Sequence, residues 1–255
     1  MNTPKEIARS FAELGVKKAG TPTGRLYLLA VLAGMFIAFA GVGSTIANVT
    51  VNRLAGACVF PAGLAMVVIA GSELFTGDNL MIVSLLEKRI TFGKMLFVLL
   101  IVYLGNVAGA FLVALLAAVG GSLDAVSDAV ISTAAAKASL GFGAALVRGI
   151  MCNVLVCIAV WMAAAAKEPA GKLAGLFFPI MVFVLCGYEH CVANMYYLPA
   201  GLLMSARTGA PAGLTWGSAI LGNLLPVTLG NMIGGMGVGV CYHAIYLRSS
   251  AKTTV

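Results

Sequence analysis

Between Leu173 and Ala206 an otherwise uncharged, apolar run carries one acid and one imidazole side by side, Glu189 and His190. The run is long enough to cross a bilayer, which takes roughly 20 apolar residues. A charged group at that depth costs about 2.5–3.5 kcal/mol even on the lenient insertion scales. Chains keep such groups where they face a polar cavity or another helix, so the pair marks a candidate functional site, with His190 lining a pathway through the membrane.

Composition supports a membrane solvent. The chain is 61% hydrophobic and 10% charged, with a mean hydropathy of +1.02, whereas soluble domains carry about 25% charged residues. The formal net charge of +7 raises the possibility of nucleic acid. The charges fall between apolar spans rather than along one face, so no nucleic-acid partner is expected. The cysteines at 58, 152, 157, 186, 191 and 241 form no CxxC pair and read as buried, reduced packing residues. The first long apolar run starts at Leu26, too late and too long for a signal peptide.

Residues 1–25 are polar and basic. Ile7, Phe11 and Leu14 recur at helical spacing, which predicts a short amphipathic helix on the membrane surface. Six spans follow within 26–246: Leu26 to Ala47, Leu54 to Leu86 interrupted around Gly71–Asn79, Met95 to Leu123, Ala138 to Ala166, Leu173 to Ala206 interrupted at Gly187–Asn194, and Thr208 to Tyr246. Residues 247–255 form a tail. Asp124 and Asp128 read as a solvated connection, and Arg148 lies within the fourth span, where it could face the protomer interface, the oligomer axis or the pore mouth. Lys and Arg cluster in the amino-terminal arm, the second-to-third and fourth-to-fifth connections and the tail. That asymmetry places both termini in the cytoplasm, as an even number of spans requires.

The interrupted spans resemble each other. Gly71-Ser72-Glu73 and Gly187-Tyr188-Glu189 each put a glycine two before a glutamate, and one span later come Gly105-Asn106-Val107-Ala108-Gly109 and Gly230-Asn231-Met232-Ile233-Gly234. Three spans per half give the halves opposite orientation, and paired broken helices in inverted repeats point to a midplane site. Two half-helix starts meeting there would attract an anion. The expected fold is an all-α membrane protein of six transmembrane helices in two inverted three-helix repeats, with helices 2 and 5 broken.

Tyr188-Glu189-His190-Cys191-Val192-Ala193-Asn194-Met195, Glu73-Leu74-Phe75-Thr76, Pro226-Val227-Thr228-Leu229-Gly230-Asn231 and Cys152-Asn153 through Trp161-Met162 together resemble the formate/nitrite transporter family. The resemblance implies a homopentamer in the cytoplasmic (inner) membrane, each protomer with its own aquaporin-like pore for small monovalent anions: formate, nitrite, hydrosulfide and sometimes lactate or acetate. It implies His190 as the central histidine with Thr76 as partner, Asn194 and Asn231 as polar lining, and Lys137 paired with Asn153 at the outer vestibule. It makes Phe60, Leu64, Leu74, Phe75 and Phe183 the two apolar constrictions. Glu73 and Glu189 read as structural braces capping the opposite half-helix, because anion pathways avoid carboxylates. Cys191 stands where serine is usual, and Tyr188 where phenylalanine is.

Apolar rings exclude a bare anion, while a neutral weak acid faces a far smaller penalty. An imidazole between the rings could hydrogen-bond an anion and supply a proton, so the expected function is formate or nitrite transport with proton coupling through His190. A hydrosulfide channel of the same fold is the alternative. A neutral-solute channel of aquaporin type lacks its paired NPA motifs here. Two distant histidines argue against a metal cluster, and no arrangement suited to catalysis is present, so neither an enzyme nor a cofactor is expected. The implied partners are the anion, membrane lipid and copies of the same chain.

Overall fold

A computed structural model describes residues 1–248; most of the tail at 247–255, including Lys252, lies outside the described residues. All regular structure among the described residues is helical. Five helices are long and apolar enough to cross a membrane by length and composition: Thr23–Thr50, Arg53–Ala70, Phe92–Val119, Phe142–Ala165 and Ser218–Tyr246. Phe75–Leu86 and Pro169–Leu185 are shorter apolar helices.

Helix α1 (Pro4–Ala19) starts with a capping box: Thr3 accepts from Glu6 N at 3.4 Å, and the Glu6 carboxylate accepts from Thr3 N at 2.7 Å. Pro4 at the first position needs no N–H partner. Its apolar face is Ile7, Ala8, Phe11 and Ala12, buried against Leu80, Val83, Trp161 and Val238. The expected surface helix is therefore corrected: that face covers protein rather than lipid, and Leu14 is exposed. Small residues make this docking possible, since Gly15 sits against Ser84, whose hydroxyl donates to the Ala12 carbonyl at 2.8 Å.

Two long pairs carry the rest. Helix α2 (Thr23–Thr50) packs along α7 (Phe92–Val119), and α9 (Phe142–Ala165) along α12 (Leu225–Tyr246). The GNxxG glycines explain the closeness. A Cβ on Gly109 would lie 2.0 Å from the Val31 carbonyl oxygen, and one on Gly234 would lie 2.3 Å from that of Ile150. Between the members of each pair runs an interrupted helix. In the first half, α3 (Arg53–Val59) and α4 (Pro61–Ala70) stop at Gly71, and α5 (Phe75–Asp78), a 3-10 turn and α6 (Ile82–Leu86) resume. In the second half, α10 (Pro169–Leu185) stops and α11 (Cys191–Thr208) resumes.

Several boundaries move. The first span starts at Thr23 rather than Leu26, after Pro22, and the third runs from Phe92 to Val119. The last starts at Ser218, as a π-helical stretch to Leu224, and the previous helix stops at Thr208, capped by Gly209 in left-handed backbone. Asp124 and Asp128 are exposed, as expected of a solvated connection, but the loop is corrected to a 3-10 turn and helix α8 (Ser127–Ala138), which packs on α11 through Val130, Ile131 and Ala134. Cys58, Cys186 and Cys241 are exposed, not buried as expected, whereas Cys152, Cys157 and Cys191 are buried.

Candidate functional site

Both helix breaks are built by the same hydrogen bonds. Gly71 and Gly187 take φ of +79° and +69°, which only glycine adopts without strain. The next glutamate then turns its N–H to the first helix of its half: Glu73 N to Leu29 O and Glu189 N to Arg148 O, both at 3.3 Å. The GNxxG asparagine ties the far side. Asn106 accepts from Phe75 N at 2.9 Å and donates to the carbonyls of Ala30 and Glu73. Asn231 accepts from Cys191 N at 2.9 Å and donates to those of Gly149 and Glu189. Each break thus satisfies backbone groups that lipid could not.

Asn231 was expected to line the pathway. It is fully buried and its amide is spent on backbone, so it is a clamp. Asn153 is likewise corrected. It does not pair with Lys137; it donates to the carbonyls of Thr76 at 3.1 Å and Asn231 at 2.6 Å, pinning one break to α12. An asparagine on an apolar helix must find partners, and its sequence position does not say whether those are backbone or permeant.

His190 is the residue before α11, and its Nδ1 accepts from Ala193 N at 3.0 Å. A nitrogen that accepts carries no proton, so Nε2 holds the ring proton and donates to Thr76 Oγ1 at 2.9 Å. Protonating Nδ1 as well would aim N–H at N–H and break the cap; the resting ring is neutral. His190 is 3% exposed and Thr76 fully buried. The imidazole stacks on Phe183, with centroids 5.9 Å apart, and Phe183 meets Phe60 edge to face at 5.6 Å.

Two cavities approach this pair. One, of about 500 Å³, is lined by His190, Phe60, Phe183, Asn194 and Lys137. The other, of about 590 Å³, is lined by Leu64, Leu74, Glu73, Asp78 and Lys18. Of the expected constriction residues, Phe60 and Phe183 face the first cavity and Leu64 and Leu74 the second. Phe75 lines neither: its ring lies edge to face on Tyr103 at 5.0 Å.

Each cavity holds a lysine on a break glutamate. Lys137, near the end of α8, donates to both Glu189 oxygens at 3.0 and 3.1 Å, with Asn194 at 2.6 Å and Asn223 at 3.3 Å completing the carboxylate's shell. Lys18, near the end of α1, bridges Glu73 and Asp78. Burial opposes the charge on Lys18, but the carboxylates of Asp78 and Glu73 outweigh it and hold its pKa above the ordinary lysine value. The two glutamates are therefore anchored by lysines of the short preceding helices and do not cap opposite half-helices. Eleven positions separate Lys18 from Leu29, and eleven separate Lys137 from Arg148, so α1 and α8 stand in matching places ahead of the two breaks. Sequence reading missed Lys18, Asp78 and Asn223. The equal spacing would have exposed the first, and Asn223 sits in the π-helical stretch, a feature frequent at functional sites.

The family profile described as "Formate/nitrite transporter" matches residues 5–245. The chain is 34% identical over 271 residues to the formate channel FocA of Escherichia coli (strain K12), covering 97% of this chain and 95% of that one. It is 37% identical over 258 residues to the uncharacterized transporter YrhG of Bacillus subtilis (strain 168), covering 95% and 93%. A solved "FNT family ion channel" superposes with a TM-score of 0.84 at 29% identity, over 94% of this chain and 98% of that one. A "pentameric formate channel with formate bound" does so with a TM-score of 0.77 at 32% identity, over 89% and 98%.

Proposed function

Because the chain belongs to the formate/nitrite transporter family, we propose that it moves a small monovalent anion, formate or nitrite, through a pore in each protomer, with a proton delivered at His190. The six-span inverted repeat, aquaporin-like in plan, puts the two breaks back to back at the bilayer midplane. Lys and Arg in the α1-side connections put both termini in the cytoplasm, so the Lys137 cavity opens outward and the Lys18 cavity inward. The relative titled a pentameric formate channel favours a homopentamer in the cytoplasmic membrane.

One observation carries the reading: the Thr76–His190 hydrogen bond of 2.9 Å lies between two cation-bearing cavities. The Phe60–Phe183 pair walls it on one side, and Leu64 and Leu74 on the other. An anion entering that wall loses its water and finds two polar atoms, Nε2 and the threonine hydroxyl. A neutral ring cannot give up its only N–H. It can act as an acid after taking a second proton on Nδ1, at the cost of the Ala193 bond. The negative charge of an arriving anion offsets that cost, so loading and arrival are coupled. Transfer of the Nε2 proton then yields the neutral acid, which crosses the apolar wall, and a neutral ring protonated on Nδ1; exchange of that proton with solvent for one on Nε2 restores the Ala193 bond.

Uptake in proteoliposomes tests this. Wild type should take up formate or nitrite faster as external pH falls, and His190→Phe should abolish that uptake. Unchanged uptake by the variant would discard the mechanism, and hydrosulfide uptake alone would reassign the permeant.

A further inference from the structure

The cavity on the Lys137 side holds three cations and one carboxylate: Arg53, Lys137, Arg148 and Glu189. Lys137 and Glu189 largely neutralise each other, since the ammonium sits between both carboxylate oxygens. The two arginines are different. Both are exposed, and among the described residues neither guanidinium makes a hydrogen bond or an ion pair. Both sit around the second break. A Cβ on Gly187 would lie 3.5 Å from Arg53 Nη2, and the Arg148 carbonyl accepts the Glu189 N–H. Arg53 comes from the start of α3 and Arg148 from α9, so the fold brings two free guanidinium groups to the rim of one cavity whose floor is Phe60, Phe183 and His190.

We propose that Arg53 and Arg148 form a recognition subsite at the pore mouth for planar anions with two oxygens, formate and nitrite among them. This rests on the anion-transport reading above. A guanidinium presents parallel N–H donors that match a carboxylate-type fork, whereas an ammonium acts as a point charge. The subsite therefore adds more than charge. It favours O–X–O anions over single-centre anions such as hydrosulfide or chloride, before either reaches the histidine. Charge at a cleft mouth also raises the local anion concentration, and that share fades with ionic strength.

Concentration-dependent uptake of formate and of hydrosulfide by R53Q/R148Q, R53K/R148K and wild-type proteoliposomes tests the proposal. The glutamine pair should raise KM for formate about tenfold with maximal rate unchanged. The lysine pair should recover hydrosulfide uptake but leave formate KM raised. Full recovery of formate by lysine, or no change with glutamine, overturns the subsite. Saturation-transfer NMR of formate on the full-length protein in micelles separates it from the transport reading. If wild type transports neither anion but its formate signal is lost in R53Q/R148Q, the subsite stands and the transport reading falls. A signal that persists in that variant overturns the subsite.

Discussion

The two helix breaks share a frame and differ in chemistry. In each, a left-handed glycine, a glutamate N–H on the first helix and a GNxxG asparagine set the chain's path. In each, a lysine from the short preceding helix holds the glutamate carboxylate. At the position just before the resumed helix, however, the first break has Leu74, which makes no side-chain cap, and the second has His190, which does. The first break contributes Thr76 one residue into its helix, and that hydroxyl meets the imidazole of the other half. The same frame occurs twice in the chain. The polar pair at the centre takes a different residue from each half, a hydroxyl from the first break and an imidazole from the second.

The comparison breaks most severely when the unlike residue is removed. His190→Leu gives the second break the residue of the first, and formate uptake in proteoliposomes should fall at least about 100-fold, the usual contribution of a positioned acid. Pentamer yield on size exclusion should stay near wild type. Next come the clamps: Asn106→Ala and Asn231→Ala each strand buried backbone groups at about 1–3 kcal/mol per group. Thermal unfolding in detergent should shift downward by similar amounts for the two, and a large inequality would show that one break is held otherwise.

The lysines sharpen the contrast. Lys18→Ala leaves two carboxylates together, Glu73 and Asp78, whereas Lys137→Ala leaves one that keeps Asn194 and Asn223. The first should cost more, about 1–3 kcal/mol, below the range for fully buried pairs because both lysines keep partial solvent contact. The raised pKa of Lys18 makes its clamp complete below the ordinary lysine range and lost only as pH rises above it. The smallest effect is local: Thr3→Ala removes the α1 cap at about 1 kcal/mol, and amide exchange should quicken within residues 4–19 alone. Hydrogen bonds from Thr3 lower the Glu6 pKa below its usual value, so the cap's contribution is full above about pH 4.5 and declines as pH falls through the depressed value. Exchange measured above pH 4.5 and again in stronger acid checks this.

Much of the plan was readable in the chain because a bilayer imposes long charge-free runs and leaves departures conspicuous. Glu189-His190 stood out for that reason, as did the repeated GxE and GNxxG signatures. Directions of side chains were not readable. Asn231 and Asn153 sit on apolar helices like any lining residue, yet both face backbone. Phe75 sits beside Thr76 but turns to Tyr103. Helix α8, alanine-rich and lacking a long apolar run, read as a loop, so Lys137 was not matched to Glu189.

Sequence alone determined that the chain is apolar, helical and interrupted twice in a repeated way, since hydropathy and glycine placement act locally. Which atoms meet at the interruptions was decided only by packing. Thr76 and His190 lie 114 positions apart, and no local rule selects one distant partner over another. The crossing of α2 on α7 and α9 on α12 brings both half-helix starts together, and that contact gives the Nε2 proton, fixed locally by the Ala193 bond, its distant partner.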